Sequence, residues 1–260
     1  MLNKVFLVIF VFSLFACGSK MAYENFDEQK NQEKIDIPIE VKVTEKTFPE
    51  DWKSEEINSH GEDLASDEVS RSLKIIKKAL KKYPEEVLKQ NLVKIYVLKR
   101  IEFFGVGYGG TNSNDIVYVT NNGISEGYTD EYLEKTFHHE FSSILLRNYP
   151  DLFPEKKWKA INTADYKDES GGVEAIRSNA AGTDFSDELM KQGFLYQYAM
   201  TDLENDLNSF AENIFCQKED YKSFVLKYLK IKQKQDLIIE FYQKINENFS
   251  KEFFEGIVKK

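Results

Sequence analysis

The spacing of apolar residues along this chain changes period several times. Between Ser66 and Lys82, Val69, Leu73, Ile76 and Leu80 recur at helical spacing behind Ser66-Asp67-Glu68. Pro84 stops the pattern, so a helix with solvated lysines is expected there. From Leu92 to Phe104, LVKIYVLKRIEFF is dense in β-branched and aromatic residues and predicts a strand, and DIVYVT (115–120) predicts a second. The connection GVGYGGTNSN spells Gly105-x-Gly107-x-x-Gly110. A phosphate-cradling loop of that form opens a helix whose N-terminus faces the ligand. This one opens a strand and reads as a glycine-rich connection between strands.

After the NNG turn, Thr129-Asp130-Glu131 should cap a helix running to about Tyr149, before Pro150. Leu133, Phe137, Phe141, Ile144 and Leu145 fall within roughly 120° of one another and form its core face. His139, Ser143, Tyr132 and Thr136 share a different side, with Glu140 about 100° from His139 and Arg147 one turn further along. Asp151 to Gln192 reads as a long irregular connection containing KKWKAIN, SGGVEAI and AGTDFSDE. Another helix is expected from near Asp202, and residues 219–247 give a last long amphipathic helix or a pair. There is no internal repeat. The order implies an α+β fold: a small mixed sheet packed on a site helix, followed by a mostly helical C-terminal half.

The first residues have another character. Met1 to Lys4 gives a short positive start, Val5 to Phe15 is apolar apart from Ser13, and Ala16-Cys17 follows. That stretch is about half as long as a membrane-spanning helix and reads as a secretory signal. Ala16-Cys17 resembles the lipobox of bacterial lipoproteins, in which cleavage precedes the cysteine and the thiol is acylated. The resemblance implies a signal peptide over 1–16, a lipidated Cys17 with a polar tether to residue 47, and a folded domain over 48–260. It also implies a place in the bacterial cell envelope, lipid-anchored to a membrane, the outer one being expected. With Cys17 so used, Cys216 has no disulfide partner and is expected as a small buried residue. The net charge of −9 argues against phosphate-backbone binding, so nucleic acid is not an expected partner.

TFHHEFSSILLR (136–147) carries the candidate chemistry. In HExxH, two histidines four residues apart face one zinc ion, and the intervening glutamate activates water. Here His139 and Glu140 stand in place, but Ser143 occupies the second histidine's position, and a neutral hydroxyl is a poor zinc ligand. His138 points about 100° away from His139, and His60 in NSHGED has no spacing that recommends it.

His138 to Leu146, Gly193 to Ala199 and Asn208-Ser209-Phe210-Ala211-Glu212 together resemble the zinc-binding metallopeptidases found among bacterial surface lipoproteins. The resemblance implies a zincin-like fold in which the helix pattern ExFAE supplies the third zinc ligand from its first glutamate. That position is Asn208 here. Two expected ligands, at Ser143 and Asn208, are thus replaced. Two functions remain open. One is a binding or accessory protein whose cleft recognises a peptide, a glycan or an envelope protein, with no cofactor. The other is a zinc-dependent hydrolase with Glu140 as general base, His139 with Glu204 or Glu212 as metal ligands, and Tyr198 donating to the oxyanion. The lipid anchor is testable apart from either: Cys17→Ala should move the protein from the membrane to the soluble fraction and abolish fatty-acid labelling.

Overall fold

The computed structural model describes residues 37–167, 177 and 181–257. The expected signal segment, most of the tether and SGGVEAI lie outside the described residues. The domain begins earlier than the expected boundary at Phe48. Ile39–Glu40 forms strand β1, and Ile37 and Thr47 are buried, so residues 37–47 belong to the fold and are not tether.

The chain continues through β2 (His60–Glu62), α1 (Val69–Leu80) and α2 (Glu85–Asn91). His60 is therefore an exposed strand residue. Pro84 both ends the α1 segment and stands as N-cap of α2, where its missing N–H costs nothing. The buried face of α1 is Ser72, Ile75, Ile76 and Ala79, rotated slightly from the expected one; Val69, Leu73 and Leu80 are only partly covered.

The single strand expected over 92–104 is two. β3 (Lys94–Leu98) and β4 (Arg100–Phe103) flank Lys99 and belong to different sheets. One sheet runs β1-β3-β7-β6, with β7 spanning Ile116–Thr120 and β6 spanning Gly110–Asn112. β1 and β7 are parallel to β3, and β6 is antiparallel to β7. The other sheet runs β2-β4-β5, all antiparallel, with β5 at Val106–Gly107. The glycine-rich connection thus contains β5 and β6.

Both faces of β3 and β7 are covered, which is why their sequences show no polar alternation. Ile95, Val97, Val117 and Val119 face the main core with the helices. Tyr96, Leu98 and Tyr118 face a smaller core with Phe48 and, from the second sheet, Ile101 and Phe103; the Tyr96 and Tyr118 rings stack there at 5.3 Å.

Helix α3 (Asp130–Asn148) starts where its cap residue predicts: Thr129 Oγ1 accepts from Tyr132 N at 3.2 Å, with Asp130 and Glu131 in the first turn. Its expected core face is fully buried, and it packs on β6, β7, α1 and α6 (Leu203–Cys216). The region expected to be irregular holds α4 (Glu155–Ile161) and α5 (Asp187–Gln192). The last segment is a pair, α7 (Glu219–Lys227) and α8 (Leu229–Ile245), followed by α9 (Lys251–Gly256).

One buried ion pair ties the helical half together. Asp206 of α6 and Lys234 of α8 are completely buried and 2.5 Å apart. Asp206 Oδ2 also accepts from Trp158 Nε1 and Tyr166 Oη, each at 2.8 Å. The ammonium lies over the Phe194 and Trp158 rings at 4.6 and 4.9 Å. Burial pushes the Asp206 carboxyl up and the Lys234 amine down, and the opposite charge holds both back. Removing one partner leaves a buried charge without compensation. Lys234→Met should therefore cost about 3–5 kcal/mol in urea unfolding, and pairing it with Asp206→Leu should recover much of that loss.

Candidate functional site

α3 and α6 bring buried polar groups to the seam between them. His139, Glu140 and Ser143 of α3 and Glu204, Asn205 and Asn208 of α6 line a cleft of about 560 Å³. Thr111 and Asn112 of β6 and Tyr198 complete its walls. β6 can approach α3 this closely because residue 110 is glycine. A Cβ there would lie 2.5 Å from Thr136 Cγ2 and 2.8 Å from Glu140 Oε1.

At the centre, Asn208 Nδ2 donates to Ser143 Oγ at 2.7 Å, and both residues are buried. The Asn208 Oδ1 atom is buried without a hydrogen-bond partner. One turn before Ser143, His139 Nδ1 is 3.0 Å from Glu212 Oε2, and Tyr196 Oη donates to Glu212 Oε1 at 2.9 Å. Burial alone would favour a neutral His139 ring. The Glu212 hydrogen bond and the charges of Glu140, Glu212 and Glu204 outweigh it and push the ring up to about 9. Tyr198 stacks on the same ring, with centroids 6.1 Å apart.

Glu140 Oε2 accepts from Asn112 Nδ2 at 2.6 Å. Burial pushes the Glu140 carboxyl up, while His139 and Asn112 pull it back. Arg147 donates to Asn112 Oδ1 and, at 2.8 Å, to the Ser113 carbonyl. It also faces Glu204 at 3.4 Å across the cleft mouth. Of the residues singled out in the sequence, His139, Glu140, Ser143, Tyr198, Glu204 and Asn208 line this one cleft. Glu212 is buried behind His139. Asp206, on the same helix, is fully buried as the partner of Lys234. Tyr198 is half-buried, lining the cleft while packing against the main core. Asn112 and Tyr196 were missed, because each enters through a tertiary contact that no local pattern announces.

The donor set does not fit zinc at the position the resemblance implies. Ser143 Oγ and Asn208 Nδ2 are engaged with each other, and so is the His139 nitrogen facing Glu212. Among the described residues, no three His, Cys, Asp or Glu groups of this cleft bring ligand atoms within 4.8 Å of one another. A hydroxyl and an amide do not replace an imidazole and a carboxylate for this ion.

An α+β domain with a histidine–glutamate pair on a long helix beside an edge strand defines the class. The chain belongs to the family described as "Putative zinc-binding metallo-peptidase", which matches residues 52–253. Its fold is similar to the crystal structure of a putative zinc-binding metallo-peptidase from Bacteroides caccae ATCC 43185, with a TM-score of 0.53 and 17% sequence identity over 86% of this chain and 85% of that one. Comparison with curated proteins gives no match.

Because its folded pKa is raised, charged His139 contributes stability that is full below pH about 6.5 and lost as pH rises through about 9. Glu212→Gln removes the main partner. Its imidazole titration, followed by proton NMR, should fall toward 6.5, and the loss of stability between pH 6.5 and 9 should flatten.

Proposed function

We propose that this chain is a non-hydrolytic member of its family, a lipid-anchored envelope protein whose cleft binds a peptide, a glycan or another envelope protein without cutting it. The Asn208–Ser143 hydrogen bond carries the reading, because it joins the two positions at which the resemblance implies metal ligands. A cleft satisfied in this way needs no cation to hold its helices together. It keeps groups suited to recognition: a charged imidazole, the Arg147–Glu204 pair at the mouth, and an acceptor at Asn208 Oδ1 that a ligand N–H or O–H can satisfy. The envelope location rests on the sequence of residues 1–17, which lie outside the described residues.

A hydrolytic reading has one observation in its favour: Glu140 is buried beside His139 with a raised pKa, as a general base requires. The two readings separate by experiment. If the cleft is a binding site, His139→Ala should leave the metal content of the purified protein unchanged, and Glu140→Gln should leave peptide hydrolysis at background. Ser143→His with Asn208→Glu should add one zinc equivalent that His139→Ala removes again. Hydrolysis of a peptide library by the unaltered protein, abolished by Glu140→Gln, would overturn the proposal.

A further inference from the structure

α3 carries a second set of ligating groups that does not line the cleft. Glu134 and His138 stand four residues apart, the spacing at which one helix face presents two side chains together. Cys216, the last residue of α6, lies against them. One ligand atom from each of the three residues lies within 4.8 Å of the others. No other His/Cys/Asp/Glu trio among the described residues is drawn together so closely.

His138 supplies an independent sign of a ligating atom without a partner. Its ring is completely buried and stacked on Phe215 at 4.7 Å. Nδ1 is 2.8 Å from Tyr83 Oη, while Nε2 has no hydrogen-bond partner. An imidazole nitrogen buried without a partner is costly and calls for an explanation. A metal-ligating histidine commonly has this arrangement, with one nitrogen oriented by a neighbouring oxygen and the other left for the ion.

We propose that Glu134, His138 and Cys216 form a transition-metal site of the zinc type, separate from the cleft. A nitrogen, a sulfur and a carboxylate oxygen suit a borderline-soft divalent cation, with the fourth position left for water. Binding is an exchange of partners. His138 Nε2 gives its lone pair to the ion while Nδ1–H donates to Tyr83. The Cys216 thiol releases its proton to solvent and binds as thiolate. Glu134 is already paired with Lys78 at 2.9 Å through Oε2 and with Lys82 at 2.5 Å through Oε1. The ion takes Oε1, and Lys82 keeps the Phe215 carbonyl that it already meets at 2.7 Å. These two ammonium groups compete with the cation, so the affinity falls below that of an all-acidic site. In the metal-free state burial pushes the thiol up to about 12. The site joins the first half of α3 to the end of α6, the two helices that bound the cleft.

Cobalt(II) added to the full chain tests this site independently of the cleft. The expected result is one equivalent bound with a thiolate-to-cobalt charge-transfer band, lost in Cys216→Ser and retained in His139→Ala and in Glu140→Gln. Should Cys216→Ser fail to fold, the unaltered chain still decides, because zinc should slow alkylation of Cys216, mapped by peptide mass. Absence of the thiolate band, its persistence in folded Cys216→Ser, its loss in His139→Ala, or alkylation indifferent to zinc would each overturn the proposal. None of these results bears on the Asn208–Ser143 contact.

Discussion

Polar side chains buried between two helices must find their partners between those helices, and much of this domain is arranged around that requirement. α3 and α6 carry His139, Ser143, Asn208 and Glu212 into their shared seam, where each finds a partner from the other helix. Two kinds of pairing coexist there. Ser143 with Asn208 is neutral and directional, while His139 with Glu212 is charge-assisted and stronger. Their combination fixes the rotation of one helix against the other without any bound ion. It also fixes what the cleft can do, since groups committed to each other are poorly placed to ligate.

The supports of this seam come from further out. Asp206 holds the outer side of α6 through Lys234, Trp158 and Tyr166, so the helix is gripped on both flanks. β6, which lines the same cleft, lies close enough to α3 for Asn112 to bond Glu140, which glycine at position 110 makes possible. Arg147 then bridges Asn112 and Glu204 across the mouth. A chain of contacts thus runs from the edge strand through α3 to the first turn of α6.

Local signals in the sequence were enough for α3. Its cap at Thr129, its core face and its end before Pro150 all depend on residues within one turn of where they act. Asp202 likewise marked the start of α6, capping it through the backbone N–H of Asn205. The cleft residues carried on these two helices were legible for the same reason. The sheets were not. β3, covered on both faces, shows no polar alternation, β4 follows it in the same β-rich run, and only Lys99 separates the two sheets to which they belong. The contributions of Asn112, Tyr196 and Cys216 come from residues far apart in the chain, and nothing around any of them gives the contact away. The burial of Asp206 and Glu212 was not legible either, because their partners, Lys234 and His139, lie on other elements.

β1 has a mechanical meaning. It is two residues long, joins β3 in parallel, and is the first described element of the domain. If the segment before it is fastened to a membrane, any pull on the anchor enters the fold at this strand. The few ladder bonds between β1 and β3 would then part before the load reached α3 or α6, so the domain could be tugged by its leash while the groove stayed intact.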